Sequence, residues 1–303
     1  MPPDSRLDRL YARLLADHPY GWALFKKVTT NEIRPGTCGY FDSESDWRTL
    51  VDLTSDPEEL ARDRWKPPSI DLRDKNAAPE HLLWGPKHSN SVNSRRIGGS
   101  IGANCTVAAP VEASATVIFE SGSDESAVLA TESPVHRYRL GDESIALQWM
   151  EDNTSEMLRR HKGPIKKHGV WIVTKTYSTR QCAVAIMTSK SSAVEISLTA
   201  NARGLLTLGP TSSWSKSRGS SCVEIHEGRD DNEEVIVFIS GIYFSRKLLS
   251  STLKHVRDQV KQEGRFLRGA FEDRPGSHET LAKEDDETDI ELEAEYFPPL
   301  SVD

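Results

Sequence analysis

Apolar positions repeat in two rhythms along this chain, and each predicts a different element. Leu7, Leu10, Tyr11, Leu14 and Leu15 fall at i, i+3, i+4, i+7 and i+8, which predicts an amphipathic helix over residues 4–16. Asp4 and Ser5 offer caps at its start, and His18-Pro19 ends it. Residues 31–52 read as strand, turn, strand, with Pro35-Gly36 as one turn and the polar stretch 42–46 as another. A short helix is expected within 53–63, and residues 66–93 read as irregular.

From residue 97 the rhythm becomes two-residue. The stretch 97–119 is rich in Gly, Ala, Ser, Thr and β-branched residues, and 135–140 and 145–149 are expected as short strands or a strand and turn. Over 169–177, Val170, Ile172, Thr174 and Thr176 alternate with Trp171, Val173, Lys175 and Tyr177. A turn at 178–180 and a returning strand at 181–187 complete an expected hairpin, and 193–198 alternates again. Residues 235–244 form a strong strand. Leu249, Leu253, Val256 and Val260 then predict a helix over 248–260. Residues 271–289 carry few apolar side chains and read as a linker. Tyr296, Phe297 and Leu300 beyond it could anchor the tail to the body.

Charge sharpens this outline. Residues 271–303 hold twelve Asp/Glu against Arg274 and Lys283, a net −10, whereas the whole chain is −8. Residues 157–218 hold eleven Lys/Arg and one acid, Glu195, a net +10. A cationic surface of this kind attracts a polyanion: acidic lipid, nucleic acid or the chain's own tail. The plain alternative is ordinary solvated surface. The segment 159–168 is expected as a basic loop opening into the hairpin, with Trp171 and Tyr177 as interface-preferring aromatics.

Other chemistry is thin. Gly98-Gly99-Ser100-Ile101-Gly102 matches the nucleophile elbow in letters but lacks the apolar strand before it and the helix after it. The nine histidines show no metal-ligand spacing, and His161 and His168 read as surface residues. No phosphate-binding loop, dinucleotide fingerprint or nucleic-acid signature occurs. No enzyme, cofactor or metal is expected. With no export signal and no apolar run near the ~18 residues of a spanning helix, Cys38, Cys105, Cys182 and Cys222 read as reduced thiols, and the sequons at Asn104 and Asn153 as unused.

Two motif groups carry a family resemblance. Ile33-Arg34-Pro35-Gly36, Gly39-Tyr40-Phe41-Asp42 and Asp46-Trp47 resemble the N-terminal signature of fungal gasdermin-like proteins, relatives of the regulator-of-cell-death heterokaryon-incompatibility proteins. Residues 169–186 and 235–247 are similar to the same family, and the likeness runs over about residues 20–256. It implies an α+β fold, a twisted antiparallel central sheet with surrounding helices and a short acidic C-terminal tail. The implied division is a pore-forming domain over 1–268 and an acidic linker with an inhibitory tail over 269–303.

The implied function is regulated lytic cell death. The chain would rest in the cytoplasm. A protease, subtilisin-like in some relatives, would cut between Gly264 and Glu287, and the body would bind acidic phospholipid at the plasma membrane. Many copies, with or without an allelic partner, would close a β-barrel pore. Lipid-binding candidates are Arg159, Arg160, Lys162, Lys166 and Lys167, with Lys26 and Lys27 nearer the first helix. Residues 97–119 with 135–149, and residues 170–198, would become membrane hairpins, the second carrying Trp171, Val173, Tyr177, Val184 and Ile186. The competing expectation is a non-lytic, soluble β-rich interaction module in allorecognition. No nucleic-acid partner is expected.

Overall fold

In the computed structural model, residues 4–70, 72, 78–97, 114–140, 143–200, 205–209, 214–230, 233–248 and 290–299 are described. The Ser100 glycine motif, the 249–260 stripe and the 271–289 linker lie outside them. The chain divides into two units: residues 1–34, 77–139 and 175–239 in the first, and 35–76, 140–174 and 240–303 in the second.

The first unit opens with helix α1 (Asp4–Leu14) and the two-residue strand β1 (Trp22–Ala23). The α1 stripe does what its spacing predicts. Tyr11 and Leu15 are fully buried, and Leu7, Leu10 and Leu14 pack partly against the same cluster. In the second unit, β2 (Thr37–Phe41) and β3 (Trp47–Asp52) form the expected hairpin across the Asp42–Asp46 turn. Helix α2 (Pro57–Arg62) follows, with Asp56 accepting from the Glu58 amide as its cap.

Residues 66–93 are less irregular than expected. They contain β4 (Glu80–Leu82) and β5 (Lys87–His88), and β6 (Val92–Ile97) begins before they end. The first unit continues with β7 (Ser114–Ser121), β8 (Ser126–Thr131) and β9 (Val135–Arg139). The expected strand at 145–149 is instead the start of α3 (Glu143–His168), 26 residues long, and the expected basic loop at 159–168 is its C-terminal end. Ile145, Ala146, Trp149, Met150, Met157 and Ile165 of α3 are buried in one cluster at helical spacing.

After α3 come β10 (Val170–Thr179), β11 (Gln181–Met187), β12 (Ala193–Ala200), β13 (Leu206–Thr207), β14 (Trp214–Arg218), β15 (Ser221–Glu227), β16 (Val235–Leu248) and β17 (Ile290–Phe297). The structure is β-rich, and its strand ladders are antiparallel. Among the described residues the strands lie in three sheets, not in a central sheet alone. An eight-stranded sheet runs β1-β16-β10-β2-β3, with β17 on β16, β9 on β10 and β4 on β9. A four-stranded sheet runs β15-β11-β8-β5, and a five-stranded one β13-β12-β7-β6 with β14 on β12.

The two inner strands of the four-stranded sheet, β8 and β11, are buried on both faces. Cys182, Val184 and Ile186 of β11 join one cluster with Tyr11 and Phe238, while Ala183, Ala185 and Met187 join another with Val194 and Ile196 of β12. Two dry faces explain why β8 and β11 read as unbroken apolar runs. The outer face of β12 is only half-buried, so its sequence alternates cleanly.

The expected hairpin over 169–187 does not form. β10 pairs with β2 and β9, whereas β11 pairs with β8 and β15. At Arg180 the chain passes from one sheet to another. β12 belongs to the third sheet, so β10, β11 and β12 follow one another in sequence but sit in three different ladders.

Candidate functional site

Two features of the second unit bear on the charge pattern: the end of α3 and the strand β17. Helix α3 breaks its geometry at His161, where φ is −125° and ψ 24°, three residues before Pro164. Proline lacks the amide hydrogen, and its ring crowds the carbonyl four residues back, so the ladder parts there. The helix ends at Gly169, whose amide donates to the Ile165 carbonyl at 2.9 Å with φ +69°. Glycine suits that left-handed stop. A Cβ there would also lie 2.4 Å from the Tyr243 hydroxyl oxygen.

The basic residues of this end fall into two sets. Glu156 takes Arg159 through Nε (2.7 Å) and Nη2 (2.6 Å), and also takes Arg160 Nε at 2.6 Å. These contacts, led by the Arg159 hydrogen bond, hold the Glu156 carboxyl down at about 2. Arg160 also donates to the Asp63 carbonyl, and its guanidinium lies 4.6 Å from the Trp65 ring centre. Both arginines are therefore committed within the unit. Lys162, Lys166 and Lys167 differ: none has an ion pair with a described residue, and Lys162 and Lys167 are exposed. Lys166 and Lys167 also lie in the last turn, where cations complement the helix dipole. The sequence count that opened at residue 157 passed over Glu156 by one position. Its i+3 and i+4 partners are the helical signal that identifies α3.

Lys26 and Lys27 lie in the first unit, between β1 and the buried Val28. The Lys26 backbone amide donates to Asp8 Oδ1 at 2.9 Å, tying that segment to α1.

β17 is the element that the tail contributes. It pairs antiparallel with β16 over eight residues, from Gly241 opposite Phe297 to Leu248 opposite Ile290. Alternation divides its side chains. Leu292 and Ala294 are buried in the cluster that holds Trp149, Met157 and Ile165 of α3. Glu293 and Glu295 have the opposite parity and therefore belong to the other face of the strand. Backbone pairing and apolar burial hold this strand. Burial, and then Glu293, raise the Glu295 carboxyl above its ordinary value.

Trp171 lies on that second face, buried, 5.0 Å from the Phe297 ring and 5.1 Å from Tyr243. Gly241, opposite Phe297, places no side chain between them, and a Cβ there would lie 2.2 Å from the Ile172 carbonyl oxygen. Val173 is buried in the second unit, and Tyr177, Val184 and Ile186 are buried in the first. The five hairpin candidates are thus core residues of the form described.

Cys38 and Cys182 are buried free thiols, and burial pushes the Cys182 thiol up to about 12. Among the described residues no helix is long and apolar enough to cross a membrane.

No protein-family description matches the chain, and no curated protein matches it. Among solved structures, the chain is similar to the cryo-EM structure of the Gasdermin A3 membrane pore, at 10% identity and TM-score 0.25. That alignment covers 80% of this chain and 90% of the other. A likeness that distant carries no argument about this chain, whose reading rests on its own residues.

Proposed function

We propose that this chain is a gasdermin-like pore-forming protein held in a resting form by its C-terminal strand. The observation that supports the reading is β17: a strand brought back across residues 249–289 to pair along β16, bury Leu292 and cover Trp171 through Phe297. A cut between Gly264 and Glu287 would sever the covalent tie to that strand. Its departure would leave an unpaired β16 edge and uncover apolar side chains, the combination that drives strand addition between copies.

Adhesion would come from acidic phospholipid meeting Lys162, Lys166 and Lys167, each contributing about 1 kcal/mol near an anionic surface. Arg159 and Arg160 would add less while Glu156 holds them. Barrel formation would then require β10, β11 and β12 to leave three separate ladders and pair in sequence order. Many copies would have to close together, because open strand edges are not tolerated in lipid.

The test uses the intact chain with a specific protease site inserted within 264–287, cut in the presence of dye-loaded vesicles. Leakage of acidic vesicles only after the cut supports the proposal. Equal leakage before the cut overturns the resting role of β17. Binding without leakage overturns the pore-forming step, and neither binding nor leakage at low salt overturns the membrane reading and supports the non-lytic, soluble interaction module.

A further inference from the structure

One cluster in the first unit has no part in the reading above. His81 on β4 is the cross-strand partner of His136 on β9, and His136 is the partner of Ser178 on β10. Directly opposed residues project to the same face, so two imidazoles and a hydroxyl stand abreast on three neighbouring strands. The imidazole centres are 4.7 Å apart with planes at 82°. Glu234, immediately before β16, reaches this row. His136 Nδ1 meets its Oε1, and Ser178 Oγ donates to its Oε2 at 2.6 Å. Glu234 is itself fixed by Thr30, whose hydroxyl accepts from the Glu234 amide at 3.2 Å and whose amide donates to the Glu234 carbonyl at 2.9 Å.

This network sets the histidine tautomer. An ionised carboxylate only accepts, so the proton of the His136–Glu234 bond sits on Nδ1. In the neutral ring the lone pair is then on Nε2, across the ring from Glu234. A carboxylate on one imidazole nitrogen, leaving the other available, is the usual support of a metal-bound histidine. His81 is exposed, so ions reach its ring from solvent. No group of three or more His, Cys, Asp or Glu is arranged to hold an ion among the described residues. Any site here therefore has two protein ligands, with water or an incoming ligand completing the shell.

We propose that His81 and His136 chelate a divalent transition metal of the zinc class, with Glu234 and Ser178 as positioning residues that fix His136. Imidazole donors suit Zn²⁺, Cu²⁺ and Ni²⁺ and discriminate against Mg²⁺ and Ca²⁺, which want oxygen. The ion would tie the short strand β4 to β9. The proposal is independent of the pore reading.

Calorimetric titration of the full chain with Zn²⁺ in a Mg²⁺ background tests it, with far-UV circular dichroism confirming that each variant is folded. The expected result is one Zn²⁺ per chain, lost in His81→Ala and in His136→Ala. Glu234→Gln, which keeps the side-chain shape, should weaken binding about 10- to 100-fold. Zn²⁺ binding of unchanged affinity and stoichiometry in folded His81→Ala resides on other histidines and overturns the proposal. Affinity unchanged by Glu234→Gln overturns the positioning role.

Discussion

Replacing Leu292 with Ala tests whether β17 is a separately releasable strand. Leu292 is fully buried in the cluster that includes Trp149, Met157 and Ile165, and β17 otherwise rests on Ala294 in the same cluster, on Phe297 against Trp171 and on eight residues of pairing with β16. A buried Leu→Ala change costs about 2–5 kcal/mol through lost transfer energy and the cavity left behind. Since each 1.4 kcal/mol is a factor of ten, the open population should rise roughly thirty- to several-thousand-fold. Native-state hydrogen exchange reads that population residue by residue. If β17 opens on its own, amides of 290–297 and their partners in 241–248 lose protection by that factor, while β11 amides such as Val184 keep theirs. Equal loss across β11 and β17 would refute the reasoning, because the strand would then open only when the whole fold does. Unchanged protection would refute the assignment of Leu292 as the anchor.

Other outcomes follow from the same geometry. Glu295 has a folded-state pKa raised above its ordinary 4.5, first by burial and then by Glu293. The folded form therefore keeps a proton over a window in which the unfolded form has lost it, and its contribution weakens as pH rises through the folded value. Glu295→Gln should raise Tm at pH 7 and flatten that fall, and a melting profile across pH unchanged from the parent would count against it. Gly169→Ala must adopt φ +69° and meet the Tyr243 ring, so it should cost at least ~1 kcal/mol. That corresponds to a Tm drop of about 2 °C or more for a chain of this size. Lys162→Glu with Lys166→Glu and Lys167→Glu should abolish sedimentation of the cleaved chain with acidic vesicles, while Arg159→Gln changes it little. The reverse order in a co-sedimentation assay would show that the arginines, not the lysines, meet the lipid.

Much of the fold was legible because local physics sufficed. The α1 stripe, the β2–β3 turn, the short helix within 53–63 and the alternation of β12 each depend on neighbours within a few residues, and each stands where its pattern put it. The end of the tail was legible too: Tyr296 and Phe297 are apolar residues in an acidic stretch, and both lie in β17. Helix α3 was not. Residues 145–149 read as a strand or a strand and turn, and 159–168 read as a basic loop, yet one helix runs through both and only kinks at His161. Asn153 and Thr154 bond back to Trp149 and Met150 carbonyls at 2.9 and 2.5 Å, and Asn153 also grips Lys66 from a distant segment. Those bonds need partners 4 and 87 residues away, and only the second kind is invisible in a local window.

By itself the sequence determined where strands and helices could form, where charge accumulates and which residues are apolar enough to hold the tail. Tertiary structure alone decided which strand pairs with which. β10, β11 and β12 could have paired in order, but the buried faces of β11 are satisfied only between two clusters, which sends each strand to a different ladder. It also decided that Leu292 and Ala294, rather than Glu293 and Glu295, are the β17 side chains that join the α3 cluster, and that His81, His136 and Glu234, up to 153 positions apart in the chain, share one patch. The physical reason is the same in each case. A two-residue rhythm specifies that a strand has two faces, but partner, register and the side that meets the core are fixed by long-range burial.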